Sequence, residues 1–113
     1  MFIQLLRAKI HRARITDANL QYEGSIGIGT DLLAASTIRV HERVQVVNLN
    51  NGVRFETYVI EGKPGEITLN GPAARLGQIG DEVIILAYGL IDPGKGESVA
   101  PTIVRVDSQN HPI

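Results

Sequence analysis

The chain has 113 residues, a size that fits one compact domain, residues 1–113, and leaves no room for two. Hydrophobic residues make up 43% of it, enough for a core without staples, and Cys is absent, which removes thiol nucleophiles, thiolate metal sites and disulfides. Eleven Lys and Arg against twelve Asp and Glu give a net charge of -1, so no global field draws the protein to nucleic acid or anionic lipid.

The N-terminus, Met1 to Arg7, has the wrong charge order and length for a secretory signal, and the most apolar run, Val83 to Ile91, falls far short of the ~20 residues of a membrane span. A cytoplasmic location, with no membrane or nucleic-acid partner, is the expectation. Thirty residues are Val, Ile or Thr and twelve are Gly, a composition for pleated surface broken by turns. Leu6, Ala8 and Ile10 alternate with Arg7, Lys9 and His11 as in a half-buried strand. The phase then slips at the polar pair His11-Arg12, which predicts a bulge that re-aims His11.

Gly27-Ile28-Gly29 lacks the third Gly and the Lys-Ser/Thr of phosphate loops, so its glycines are read as serving strand curvature. Thr30 or Asp31 is expected to cap a short helix through Ala35, and a second turn is expected at Pro72 to Leu76. Glu42 to Leu49 and Val53 to Ile60 read as strands joined by Asn50-Asn51-Gly52, whose Asn-Gly step signals a hairpin. Glu66 to Leu69, Glu82 to Tyr88 and Thr102 to Val106 read as further strands. Six or more short strands around little helix predict a small closed barrel, with a loose tail from Asp107 to Ile113.

His41-Glu42 fails as a metalloprotease motif because position 45 is Gln, and the three histidines are too scattered to predict a metal site. The run Arg7, Lys9, His11, Arg12, Arg14 reads as a solvated strand face rather than an RNA-binding edge, given only five aromatic residues, although it suits a small anion.

Four stretches change the weighing when taken together: Lys9-Ile-His11, Tyr22-Glu-Gly-Ser25, Asn51-Gly-Val-Arg54-Phe-Glu-Thr57-Tyr58 and Asn70-Gly-Pro-Ala-Ala74. In order and spacing they resemble the aspartate 1-decarboxylase family, the self-processing pyruvoyl enzymes that make β-alanine for pantothenate biosynthesis. The resemblance implies a six-stranded double-psi β-barrel with short helices, a homotetramer, and a zymogen cleaved autocatalytically between Gly24 and Ser25 into chains 1–24 and 25–113. It implies a lyase whose cofactor is a covalently bound pyruvoyl group derived from Ser25, with no metal and no pyridoxal phosphate, and whose substrate L-aspartate is decarboxylated through a Schiff base.

Elementary chemistry agrees with that implication. Gly permits conformations closed to other residues, and the next hydroxyl can attack the preceding carbonyl through a five-membered ring. By family resemblance Tyr58 is the proton donor, Thr57 supports processing and contacts substrate, and Gly71, Pro72 and Ala73 bind substrate through their backbone. Arg54 suits a bidentate carboxylate contact and Lys9 a second charge contact, which together select a dicarboxylic amino acid. His11 and Tyr22 are candidate pocket-lining groups. Arg54 and Tyr58 share one face of an undistorted strand and Thr57 takes the other, a conflict that a bend or a subunit boundary would resolve. Pro72 departs from the family's usual Ala and removes a backbone donor. The competing reading is a noncatalytic β-barrel that binds an anion or a partner.

Overall fold

A computed structural model describes residues 1–113. Eight strands form one connected sheet: β1 (Ile3–Arg14), β2 (Asp17–Asn19), β3 (Ser25–Gly29), β4 (Arg43–Asn48), β5 (Arg54–Gly62), β6 (Ile67–Asn70), β7 (Glu82–Ile91) and β8 (Thr102–Arg105). The one α-helix, α1 (Thr30–Ser36), follows β3 directly, and short 3₁₀ turns span Gly71–Arg75 and Pro93–Lys95. None of these helices is long and apolar enough to cross a membrane.

The strand order is β2-β6-β3-β5-β4-β7-β1-β8. β1 and β2 therefore sit near opposite ends of the sheet, yet only Ile15 and Thr16 separate them in the chain. A flat sheet cannot satisfy both facts, so the sheet must roll up until its ends meet. Thr16 seals that meeting, its backbone N–H donating to the Ile67 carbonyl at 2.8 Å. The ladder itself is not closed by pairing. It holds eight strands rather than the expected six, because the short β2 and β8 pair in parallel at its two edges.

Alternation decides which side chains enter the roll. Ala8 and Ile10 of β1, Val44 and Val46 of β4, and Val83, Ile85 and Ala87 of β7 are buried, and they meet Ile26, Ile28, Val59, Ile67 and Leu69 in one core, with Leu32 of α1 and Ile38 packed among them. Each such aliphatic side chain contributes roughly 1.5–3 kcal/mol on full burial. The opposite set, Lys9 and His11, Arg43, Gln45 and Val47, Arg54, Glu56 and Tyr58, and Ile84, Leu86 and Tyr88, makes up the outer face.

The expected bulge is present. The β1–β7 register shifts between Ile10 and Ala13, with Arg12 at φ +65°. The β4–β5 hairpin also forms, but as a wider loop than a two-residue Asn-Gly turn. Only Gly52 takes a positive φ there, while Asn48 Oδ1 accepts from the Asn50 N–H at 2.8 Å and Asn51 Oδ1 from the Val53 N–H at 2.9 Å. These side-chain acceptors stabilise a longer connection than the dipeptide alone specifies.

Two expectations are corrected. Neither Thr30 nor Asp31 is the cap of α1, since Gly29 holds that position and Asp31 lies in the first turn, its Oδ1 accepting from the Leu32 N–H at 2.9 Å. The tail is not loose either. Asn110 is buried at φ +64°, and its amide exchanges hydrogen bonds with both the N–H and the carbonyl of Arg14 (2.8 Å each) and donates to the Gly65 carbonyl at 3.0 Å. His111 Nδ1 lies 2.9 Å from Asp31 Oδ2.

Candidate active site

Ser25 opens β3 and is buried to 1% exposure. It pairs in register with Asn70 of β6, so the two side chains leave the same face of the sheet. Asn70 Nδ2 donates to Ser25 Oγ at 3.1 Å, and Oγ donates to the Glu23 carbonyl at 2.9 Å. The hydroxyl therefore has a fixed direction and no carboxylate among its partners. Asn70 opens one of the stretches that carry the family resemblance, but no role was assigned to it from sequence. Its partner lies 45 residues away and only the β3–β6 register joins them.

The next residue, Gly71, turns the chain at φ +63°. A Cβ there would stand 2.7 Å from the Cα and 2.8 Å from the N of Gly24, and 3.0 Å from the Tyr22 carbonyl oxygen. Backbone is thus packed on backbone beside the Gly24-Ser25 peptide, which only Gly allows. Pro72 follows in the first turn of the 3₁₀ segment, where a missing N–H breaks no ladder bond, and its Cδ would contact a Cβ placed on Gly24 at 3.4 Å. Ala73 is buried behind it. Gly24, Ser25, Asn70, Gly71 and Pro72 form one cluster, which Tyr22 joins through its carbonyl oxygen while the residue itself is exposed.

β5 adds the next layer. Its parallel register with β3 aligns Ile26 with Val59, and carried one residue back it sets Tyr58 beside Ser25 on the neighbouring strand. Tyr58 is 37% exposed, on the outer face together with Arg54. Thr57 points the other way, opposite buried Val44, so the two-faced arrangement expected of β5 holds in this chain.

Lys9 and His11 are not brought to this cluster. They lie on β1, three strands from β5 by way of β7 and β4 and four from β3. The register places Lys9, Leu86, Gln45 and Glu56 in one row across the outer face. Three strand spacings put Lys9 about 14 Å from the β5 end of that row. His11 is turned so that its Nδ1 is buried without a hydrogen-bond partner. Burial, with the cations of Lys9, Arg105 and Arg12, pushes its imidazole below the ordinary 6.5.

The basic run on β1 is largely neutralised. Arg7 pairs with Glu42 at 2.5 Å, and Arg12 and Arg14 reach Glu82 at 2.7 and 3.4 Å. Arg54 differs: no carboxylate pairs with it, and its Nη1 donates to the neutral Gln45 Oε1 at 2.9 Å. It lies on the same outer face as Tyr58, four residues earlier on β5, and its charge remains available to an anion.

The family model described as Aspartate decarboxylase matches residues 1–113. Among curated proteins, the Aspartate 1-decarboxylase of Desulfitobacterium hafniense is 53% identical over 115 residues, covering 100% of this chain and 91% of that protein. Proteins of the same name from Caldicellulosiruptor bescii and Chloroherpeton thalassium are 54% and 51% identical, over 97% and 99% of this chain and 88% and 84% of their own lengths.

Proposed function

The chain belongs to the aspartate decarboxylase family, and from that premise we propose that it converts L-aspartate to β-alanine and carbon dioxide, a step that supplies pantothenate biosynthesis. The observation that carries this reading is the seat of Ser25, a buried hydroxyl of fixed direction directly after a glycine whose backbone is packed against Gly71. That seat suits self-cleavage. Ser25 Oγ attacks the Gly24 carbonyl carbon, the new C–O bond replaces the C–N bond, and the freed amine takes the hydroxyl proton, leaving an ester. Loss of the Ser25 α-proton then expels the Gly24 carboxylate as leaving group. Addition of water with release of ammonia leaves a ketone on position 25, and the products are chains 1–24 and 25–113.

The surroundings fit a pyruvoyl group there. The position is buried, the neutral donor Asn70 Nδ2 already faces it, and no carboxylate is hydrogen-bonded to it. Such a group supplies an electrophilic carbonyl that takes up the substrate amine and accepts the electron pair left by carbon dioxide, in place of pyridoxal phosphate. Tyr58, on the adjoining strand, delivers the proton to the carbon that has lost its carboxylate. Thr57 supports processing and substrate contact. Pro72 has no N–H, so backbone donation to substrate falls to Gly71 and Ala73 while Pro72 stiffens the turn.

Arg54 takes one substrate carboxylate and Lys9 supplies the second charge contact. The two carboxylates of aspartate are joined by a two-carbon bridge, too short for groups three strand spacings apart in one sheet. Lys9 and His11 therefore serve a site completed by a neighbouring copy, in agreement with a homotetramer. A cytoplasmic setting fits the absence of Cys.

Intact mass spectrometry after incubation tests this reading, together with a β-alanine assay on L-aspartate. Two fragments, the larger carrying a ketone at its N-terminus, are expected along with β-alanine. A chain that stays whole and never gains a carbonyl overturns the reading and favours a noncatalytic binding barrel.

A further inference from the structure

Gln45 lies near the centre of the outer face, between the strand that carries Arg54 and the strand that carries Tyr88. Its Oε1 accepts two hydrogen bonds, from Arg54 Nη1 at 2.9 Å and from the Tyr88 hydroxyl at 2.8 Å. Arg54 can only donate, so the atom it meets must be the amide oxygen, and the Tyr88 hydroxyl, donating to the same oxygen, braces the amide in that orientation. Arg54 makes no other side-chain hydrogen bond and no ion pair, whereas Arg7, Arg12, Arg14 and Arg43 each face a glutamate. A carboxylate at this place would neutralise the guanidinium and compete with an incoming anion. A neutral amide holds one corner of the fork and leaves its charge and remaining donors free.

We propose that Gln45, itself fixed by Tyr88, is a positioning residue that holds Arg54 for the substrate carboxylate and so sets the affinity for a dicarboxylic amino acid. The proposal rests on the assignment of Arg54 to that carboxylate.

The probe is succinate, a dicarboxylate without an amine, titrated calorimetrically into the processed protein, alongside KM and kcat for L-aspartate. Gln45→Met keeps the side-chain length and deletes the acceptor. It is expected to weaken succinate binding and raise KM about five- to tenfold, with kcat within about twofold and self-cleavage unchanged. Tyr88→Phe gives a smaller change of the same kind, about two- to threefold. In an Arg54→Ala background Gln45→Met has no further effect on succinate, a silence that a merely structural role would not produce. Should Gln45→Met fail to fold, Gln45→Glu serves instead, since its carboxylate pairs with Arg54 and lowers succinate affinity at least as far. Normal succinate affinity in these Gln45 variants, with Arg54→Ala impaired, overturns the positioning role alone. Normal affinity in Arg54→Ala removes Arg54 from carboxylate recognition, and both assignments fall.

Discussion

Gly71 packs backbone to backbone against Gly24, so closely that a methyl group on Gly71 would stand 2.7 Å from the Gly24 Cα. The 3₁₀ turn after β6 and the peptide before Ser25 are therefore one packed unit. In Gly71→Ala the turn must abandon φ +63° or push Gly24 away, at a cost of roughly 1–3 kcal/mol. The expected result is a lower unfolding midpoint and slower conversion to two chains, read by thermal melts and timed mass spectra. Unchanged melting and cleavage would show that the contact does not constrain the site.

Ser25→Ala deletes the hydroxyl that attacks and the leaving group that is later expelled, while removing only one buried oxygen. It should fold, remain one chain of 113 residues and make no β-alanine. A cleaved and active Ser25→Ala protein would sink the proposed chemistry.

Tyr58→Phe keeps the ring and its packing beside Ser25 but removes the phenolic proton. Cleavage at Ser25 should proceed, and borohydride should still fix labelled L-aspartate to the protein, while β-alanine formation falls by at least about a hundredfold. Production of β-alanine at the normal rate, where chemistry limits turnover, would assign the proton to another donor.

The tail gives a pH dependence of definite sign. The hydrogen bond to Asp31, aided by the charge of Asp107, raises His111 above the ordinary 6.5. A raised folded value favours the protonated form, so this contribution to stability is full below pH 6.5 and fades as pH rises through the folded value. His11 is lowered, mainly by burial, and has the opposite sign, its contribution fading as pH falls below 6.5. An NMR titration should find the His111 midpoint above that of His11, and Asp31→Asn should bring the His111 midpoint down without moving that of His11. Coincident midpoints in the unsubstituted protein would refute the His111–Asp31 hydrogen bond as the source of the shift.

What could be read from sequence was whatever is encoded locally. Alternation in β1 announced a strand because period-two polarity is a property of neighbouring residues, the break at His11-Arg12 announced the bulge for the same reason, and the Asn-Gly step announced the β4–β5 hairpin. The quoted stretches announced the family, and with it the expectation that Ser25 and Tyr58 carry the chemistry. Even the opposed faces of Arg54 and Thr57 were legible from their spacing.

Tertiary structure decided whatever depends on pairing across the chain. The tail looks polar and unstructured, yet Asn110 fastens it, because its acceptor and donors meet the Arg14 and Gly65 backbone only after the sheet has rolled. Asn70 gained its partner through register with β3, and Gln45 became the support of Arg54 through a neighbouring strand. Lys9 and Arg54 read as a pair from chemistry alone, and the strand order put two strands, β4 and β7, between them. The sequence specifies which side chains leave each strand and toward which face. Strand order and register, which come from the global burial of one core, decide which of those side chains meet.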